Sequence, residues 1–242
     1  VSPSRLRDGG LPSMRGYARR AHDRTGYTTP AGKLPSVTTI LGATSDGKER
    51  LRSWLARPGA ESLRDAAARR GTHTHECIEH WIEGATPPRT FASVLKSGLY
   101  GDYWRNIQPW LEAHFTEALG IERPIWHPAG FSGTFDCLGY AAFGREPDAL
   151  TLLDWKTAER ERTGALLEDY RCQLAAYRAG LDYCYGLRPT RALLVIARPH
   201  TYGPDVHELC SAELDEYEAE FFRRLHLYYH PDAFGGEGAD RA

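Results

Sequence analysis

Three side chains in the middle of the chain have types and spacing that suit phosphate chemistry: Asp136, Asp154 and Lys156. The stretch Leu150-Thr151-Leu152-Leu153-Asp154-Trp155-Lys156-Thr157 is an apolar run that closes on an acid and a lysine. Unpaired buried charge is costly, so packing alone gives no reason to put those two groups there. Eighteen residues before Asp154 lies Asp136, inside a second strand-like run, Gly133-Thr134-Phe135-Asp136-Cys137-Leu138. If the two runs are hairpin neighbours, both carboxylates reach one end of a sheet, where they repel unless a cation lies between them. Oxygen ligands favour a hard ion such as Mg²⁺ or Mn²⁺. Side chains alternate along a strand, so Lys156 shares a face with Asp154 and can meet a phosphate or an attacking water beside that ion. A plain strand-end salt bridge between Asp154 and Lys156 is the simpler alternative, and it leaves Asp136 unexplained.

The elements that must position these groups follow from periodicity and turn signals. Residues 1–33, rich in Gly, Arg and Tyr, read as a loose arm or hairpin. Pro35 to Leu41 starts a short helix with Ser36 or Thr38 as cap. Residues 48–57 and 60–83 read as helices, the second with an apolar stripe of Leu63, Ala66, Ala67, Cys77, Ile78, Trp81 and Ile82. Trp104, Ile107, Trp110, Leu111, Phe115 and Leu119 predict an amphipathic helix over 103–119, with Pro109 marking a kink or break. Three strands are expected at Ile121–His127, Phe131–Phe143 and Ala149–Thr157, then a helix over 165–180, a strand at Arg191–Ala197 and a helix at Ala212–Tyr228. That order is a β-meander feeding a βαβ crossover, hence an α/β fold with a mixed central sheet flanked by helices. A single domain is expected, divided into the arm (1–33), a helical DNA-binding region (34–119), a catalytic core (120–230) and a flexible tail (231–242).

Net charge is only −2, but it is segregated. Residues 1–70 carry 14 Lys/Arg against 6 Asp/Glu, a balance of +8, and the remainder carries −10. A basic third joined to an acidic rest suits a protein that holds a polyanion with one part and gathers cations with the other; an unevenly charged solvated surface is the alternative. Arg50, Arg52, Arg57, Arg64, Arg69 and Arg70 would hold a phosphate backbone, and Trp54 would either stack on unpaired bases or pack in the core. Cys77, Cys137, Cys172, Cys184 and Cys210 form no C-x-x-C pair, which argues against a zinc ribbon or an iron–sulfur cluster. Scattered cysteines, no long apolar run and no signal-like start lead us to expect a soluble cytoplasmic protein.

Four ordered stretches resemble the PD-(D/E)XK nuclease superfamily, in its RecB-like branch, and within it the mitochondrial genome maintenance exonuclease with its phage and bacterial relatives. They are Leu34 to Leu41 (LPSVTTIL), Arg70 to His75 (RGTHTH), Gly130 to Asp136 (GFSGTFD), and Leu153 to Thr157 (LDWKT) followed by Gln173 to Tyr177 (QLAAY). Phe135 stands where the signature has proline. The resemblance implies a restriction-endonuclease-like core, with His75, Asp136, Asp154 and the Trp155 backbone carbonyl as ligands of Mg²⁺ or Mn²⁺. It further implies that Lys156 stabilises developing negative charge and positions the water. Gln173 and Tyr177, four apart on one helical face, would orient Lys156 or bind the scissile strand. Ser36, Thr38 and Thr39 would contact DNA, Glu79 would support His75, and Glu122 is the weakest candidate, since an edge position explains it equally well. His73 and His80 read as ordinary surface histidines.

The expectation is a metal-dependent DNA exonuclease acting from single-stranded or flapped ends in replication, repair or recombination. The relatives thread a strand under a helical arch, and residues 36–110 are long enough to build one. Two other readings stay open: a catalytically silent DNA-end-binding or recombination partner, and a small-phosphoester hydrolase. The intact Asp136, Asp154 and Lys156 speak against the first, and the basic N-terminal third against the second.

Overall fold

The computed structural model describes residues 4–21, 26–45, 53, 56–85 and 101–234. The expected helix over 48–57 lies, but for residues 53, 56 and 57, outside them, as do Arg50, Arg52 and Trp54. The chain is α/β. A five-stranded mixed sheet is flanked by helices, and a small three-stranded sheet stands apart from it.

The small sheet comprises β1 (Arg19–Arg20), β2 (Gly26–Thr29) and β3 (Gly32–Pro35), so part of the arm is a true hairpin. Helix α1 (Val37–Thr44) follows, capped as expected by Ser36, whose Oγ accepts the Thr39 N–H. Helix α2 (Ala60–Glu83) runs between two glycines with positive φ, Gly59 and Gly84, and the Gly84 N–H closes its last turn. Leu63, expected in its apolar stripe, is exposed. Helix α3 (Gly101–His114) contains Pro109 and stops five residues before the expected 103–119 helix does. Phe115 to Leu119 instead open strand β4 (Phe115–His127), paired with β5 (Phe131–Ala141) from Phe115↔Ala141 onward. Two register irregularities, between Phe115 and Glu117 and between Ala118 and Gly120, give this segment a spacing that reads as helical. The arm also pairs with it: Ala118 donates to the Arg5 carbonyl and Arg7 to the Ala118 carbonyl, both at 2.9 Å. The outer edge of β4 is thereby covered.

Strand β6 (Thr151–Thr157) pairs antiparallel to β5, helix α4 (Ala165–Tyr185) crosses over, and β7 (Arg191–Ala197) pairs parallel to β6. An edge strand not foreseen from sequence, β8 (Asp205–Leu209), completes the order β4-β5-β6-β7-β8, and helix α5 (Ser211–Tyr229) packs back. Of the tail, Pro231–Phe234 form a 3₁₀ turn. One core joins α1, α4 and α5 to one face of the sheet through Phe131, Phe135, Leu152 and Leu194. The other joins α2 and α3 to the opposite face through Ile78, Ile107, Leu153 and Trp155. Strands β6 and β7 are buried on both faces, which is why residues 192–197 of β7 read as an unbroken apolar run. Among the described residues no helix is long and apolar enough to cross a membrane.

Candidate metal centre

The site lies where two strands part. Pairing between β5 and β6 runs Gly139↔Thr151, Leu138↔Leu152, Cys137↔Leu153 and goes no further. Trp155, two residues on, must satisfy its backbone groups some other way, because a buried N–H or C=O left unpaired is costly. Side chains supply the partners: Asp136 Oδ2 accepts the Trp155 N–H at 2.8 Å, and His75 Nε2 lies 2.9 Å from the Trp155 carbonyl oxygen. A carbonyl only accepts, so Nε2 carries the proton. That fixes the tautomer, and a neutral His75 then offers the lone pair of Nδ1.

Nδ1 faces two acids, 3.6 Å from Glu122 Oε1 and 3.8 Å from Asp136 Oδ2. The donor atoms of His75, Glu122 and Asp136 all lie within 4.8 Å of one another. Register explains the grouping. Ile121↔Cys137 and Arg123↔Phe135 put Glu122 opposite Asp136, and Cys137↔Leu153 puts Asp154 on its other side, so three carboxylates form a row across β4, β5 and β6. Glu122 has φ +46°, a left-handed conformation unusual for a residue with a side chain. Strain of that kind costs about 1–3 kcal/mol and persists where the surroundings impose it. One nitrogen and several carboxylate oxygens around a common point suit a hard divalent cation.

Beside this cluster, Asp154 is buried and forms an ion pair with Lys156 through Oδ2, while its Oδ1 accepts from Gln173 Nε2 at 3.2 Å. The same Gln173 nitrogen lies 3.1 Å from the Tyr177 hydroxyl. The Tyr177 ring occupies the space a Cβ at position 133 would take, 2.7 Å from the nearest ring atom, which is a steric reason for Gly133. Lys156 Nζ also sits 5.4 Å from the centroid of the Tyr170 ring.

The electrostatics are those of excess negative charge. Burial opposes the charge on His75, but Asp136 and Glu122 outweigh it and hold the imidazolium up to about 9. Burial, then the charge of Glu122, pushes Glu79 up to about 7. Burial and Asp136 raise Asp154 to about 6 against the pull of Lys156. Burial works against the Lys156 ammonium too, yet Asp154 and Asp136 raise it above its ordinary value, so it stays charged. Every one of these shifts favours added positive charge.

Of the residues expected at the site, His75, Asp136, Asp154, Lys156, Gln173 and Tyr177 come together, with Glu79 beside them. Two arrangements differ from expectation. The Trp155 carbonyl accepts the His75 proton and so orients the imidazole, as the outer partner of a ligating histidine does. The Asp154 carboxylate is turned to Lys156 and Gln173, and Glu122 takes the place beside His75. Nothing in the local sequence singles out Glu122, since only the β4–β5 register brings it opposite Asp136. Arg70, expected on a DNA-binding surface, is buried: it reaches Glu159 at 2.9 Å, lies 3.4 Å from Thr157 Oγ1, and stacks over Tyr103. Arg64, facing Glu61 and Asp65, and Arg69 remain exposed on α2. Thr38 and Thr39 are exposed at the start of α1, their hydroxyls 3.0 and 2.8 Å from Ser36 Oγ.

No known family profile and no curated protein matches the chain. A solved structure titled "Crystal structure of SSO0001" is similar at 16% identity over 82% of this chain and 76% of that chain, with a TM-score of 0.42, which is too loose a likeness to carry an argument.

Proposed function

We propose that this chain is a divalent-metal-dependent deoxyribonuclease of the PD-(D/E)XK type, with a restriction-endonuclease-like core, that hydrolyses phosphodiester bonds from single-stranded or flapped DNA ends. The observation that supports it best is the fork between β5 and β6, where an imidazole, a row of three carboxylates and a charged lysine share one strand end. His75, Glu122 and Asp136 would hold the cation, with Asp154 next to them. When bound there, Mg²⁺ or Mn²⁺ supplies Lewis acidity toward a phosphate oxygen and eases deprotonation of water. Lys156, kept protonated by Asp154 and Asp136, balances the negative charge that grows on the phosphoryl oxygens as the bond to the 3′ oxygen breaks. Gln173 fixes Asp154 and Asp154 fixes Lys156, so the ammonium is oriented before substrate arrives. His75 is oriented in turn by the Trp155 carbonyl.

The experiment uses linear DNA labelled separately at each end, single- and double-stranded, with Mg²⁺, Mn²⁺ or EDTA, and compares the intact protein with Lys156→Ala. Degradation that needs the divalent ion and is lost in the variant is the expected result, and the order of label release gives the polarity. DNA bound by both proteins and cut by neither under any metal would overturn the catalytic reading in favour of an end-binding module.

A further inference from the structure

The end of α5 sets a pair of imidazoles side by side. His226 and His230 are four residues apart, the spacing at which two side chains share one face of a helix. Both are exposed, and their ring centroids stand 4.7 Å apart with the planes tilted by 41°. The helix keeps this geometry to its last bond, in which the His230 N–H donates to the His226 carbonyl at 2.9 Å. The carbonyl end of a helix carries a partial negative charge that favours a cation. The exposed cation one turn earlier, Arg223, is held by Glu220 at 2.7 Å.

The surroundings keep the pair in place. With Ala129, Phe222, Leu225 and Tyr229, the two histidines line a shallow hollow of about 530 Å³. Tyr229 donates to the Gly130 carbonyl at 2.7 Å, which ties the helix end to the turn between β4 and β5. Gly130 has φ +111°, and a Cβ there would come within 2.9 Å of the Tyr229 ring. The donor set differs in kind from that of the fork, where one nitrogen stands among carboxylate oxygens. Among the described residues no carboxylate, thiol or third imidazole gathers with His226 and His230. Paired imidazoles suit Zn²⁺, Ni²⁺ and Cu²⁺ rather than Mg²⁺, and histidines four apart are how a helix presents two nitrogens to zinc.

We propose that His226 and His230 form a second metal site, a two-imidazole clamp for a borderline divalent ion of the Zn²⁺, Ni²⁺ and Cu²⁺ class. Water completes the coordination. An ion shared by the two rings ties the last turn of α5 together where that turn braces the β4–β5 connection, so it stabilises the folded chain. The site stands apart from the β5–β6 fork, and the proposal does not depend on the nuclease reading.

Ni²⁺ is titrated by calorimetry, in excess Mg²⁺, into the full-length His75→Gln protein, whose fork has lost its nitrogen ligand, and into the same protein carrying His226→Gln or His230→Gln. The expected result is a Ni²⁺ site in His75→Gln that either α5 substitution weakens by at least about 10-fold, the least that loss of even a ligand's outer hydrogen-bond partner costs. Ni²⁺ should also raise the Tm of His75→Gln and leave that of both double variants unmoved, with far-UV circular dichroism showing that all three are folded. Equal Ni²⁺ affinity in the three proteins, or a loss in only one of the two double variants, overturns the clamp. Ni²⁺ binding by wild type that disappears in His75→Gln assigns the ion to the fork and overturns it as well.

Discussion

Two charged clusters, one between helices α4 and α5 and one at the fork of strands β5 and β6, behave in opposite ways. Between α4 and α5, buried Arg178 reaches Asp215 and Glu218, the latter at 2.8 Å, and Arg188 closes the group from outside with contacts to Asp182, Asp215 and Glu218. Cations and anions alternate there, and the hydrogen bond from Arg178 draws Asp215 below the usual carboxylate range. At the β5–β6 fork, Glu79, Glu122, Asp136 and Asp154 face Lys156 and one histidine, and the acids Asp154 and Glu79 are pushed up instead. Asp215 is lowered because its positive partner is already in place, whereas Asp154 and Glu79 are raised first by burial and then by the negative charge of Asp136 and of Glu122. The first holds two helices together. The second brings the donor atoms of His75, Glu122 and Asp136 within 4.8 Å of one another, a group that could hold a metal ion.

The sharpest way to break this contrast is to remove the charge on which the proposed function depends. Lys156→Ala or Asp154→Asn is expected to lower kcat for DNA cleavage by at least about 100-fold, the scale of losing one preorganised electrostatic group. Retained far-UV circular dichroism would show that the loss is not one of folding. In the other cluster, Arg178→Met should cost about 3 kcal/mol of unfolding free energy in urea, because acids positioned around a cation lose it. Cleavage per folded molecule should stay at the wild-type level, and a comparable fall in both quantities would erase the distinction drawn here.

The two clusters also differ in the sign of their pH dependence. His75 has a folded pKa of about 9 against an ordinary 6.5, so its contribution to stability is fully present below about 6.5 and is lost as pH rises through about 9. Asp154 and Glu79 shift upward too and act in the same direction at lower pH. Asp215, shifted downward, stabilises at neutral pH and loses its contribution as pH falls through its lowered folded-state value. In EDTA, the unfolding midpoint of wild type should therefore drop between pH 6.5 and 9.5 by more than that of His75→Gln, and Mn²⁺ should shrink the difference. Equal pH profiles for the two proteins would sink the electrostatic picture of the fork. The smallest effect is expected from Ser36→Ala, which removes the α1 cap and should cost about 1 kcal/mol in a urea titration.

Much of this was legible in the sequence. Asp154 and Lys156 stood out because packing alone gives an apolar strand no reason to end on them, and Asp136 because it recurred on a neighbouring strand. The meander, the crossover and the helix over 60–83 were readable from period and from punctuation by Gly and Pro. The end of α3 was not. Phe115 and Leu119 have a spacing that serves a helix face or, once two irregularities are admitted, an edge strand, and pairing with Ala141 and with the arm decides for the strand. Strand β8 is short and half-buried, with too little alternation to announce itself.

By itself, the sequence determined which groups are available and which local segments carry them, since periodicity, caps and buried charge are all properties of neighbouring residues. Only the tertiary structure decided how the donors are shared out. Glu122 meets His75, Asp154 is committed to Lys156, and the Trp155 backbone is satisfied by side chains because β5 and β6 separate after Cys137 and Leu153. It also decided that Arg70 is a brace. The physical reason is that strand register and the point where two strands part depend on packing between segments far apart in the chain, which no local pattern encodes.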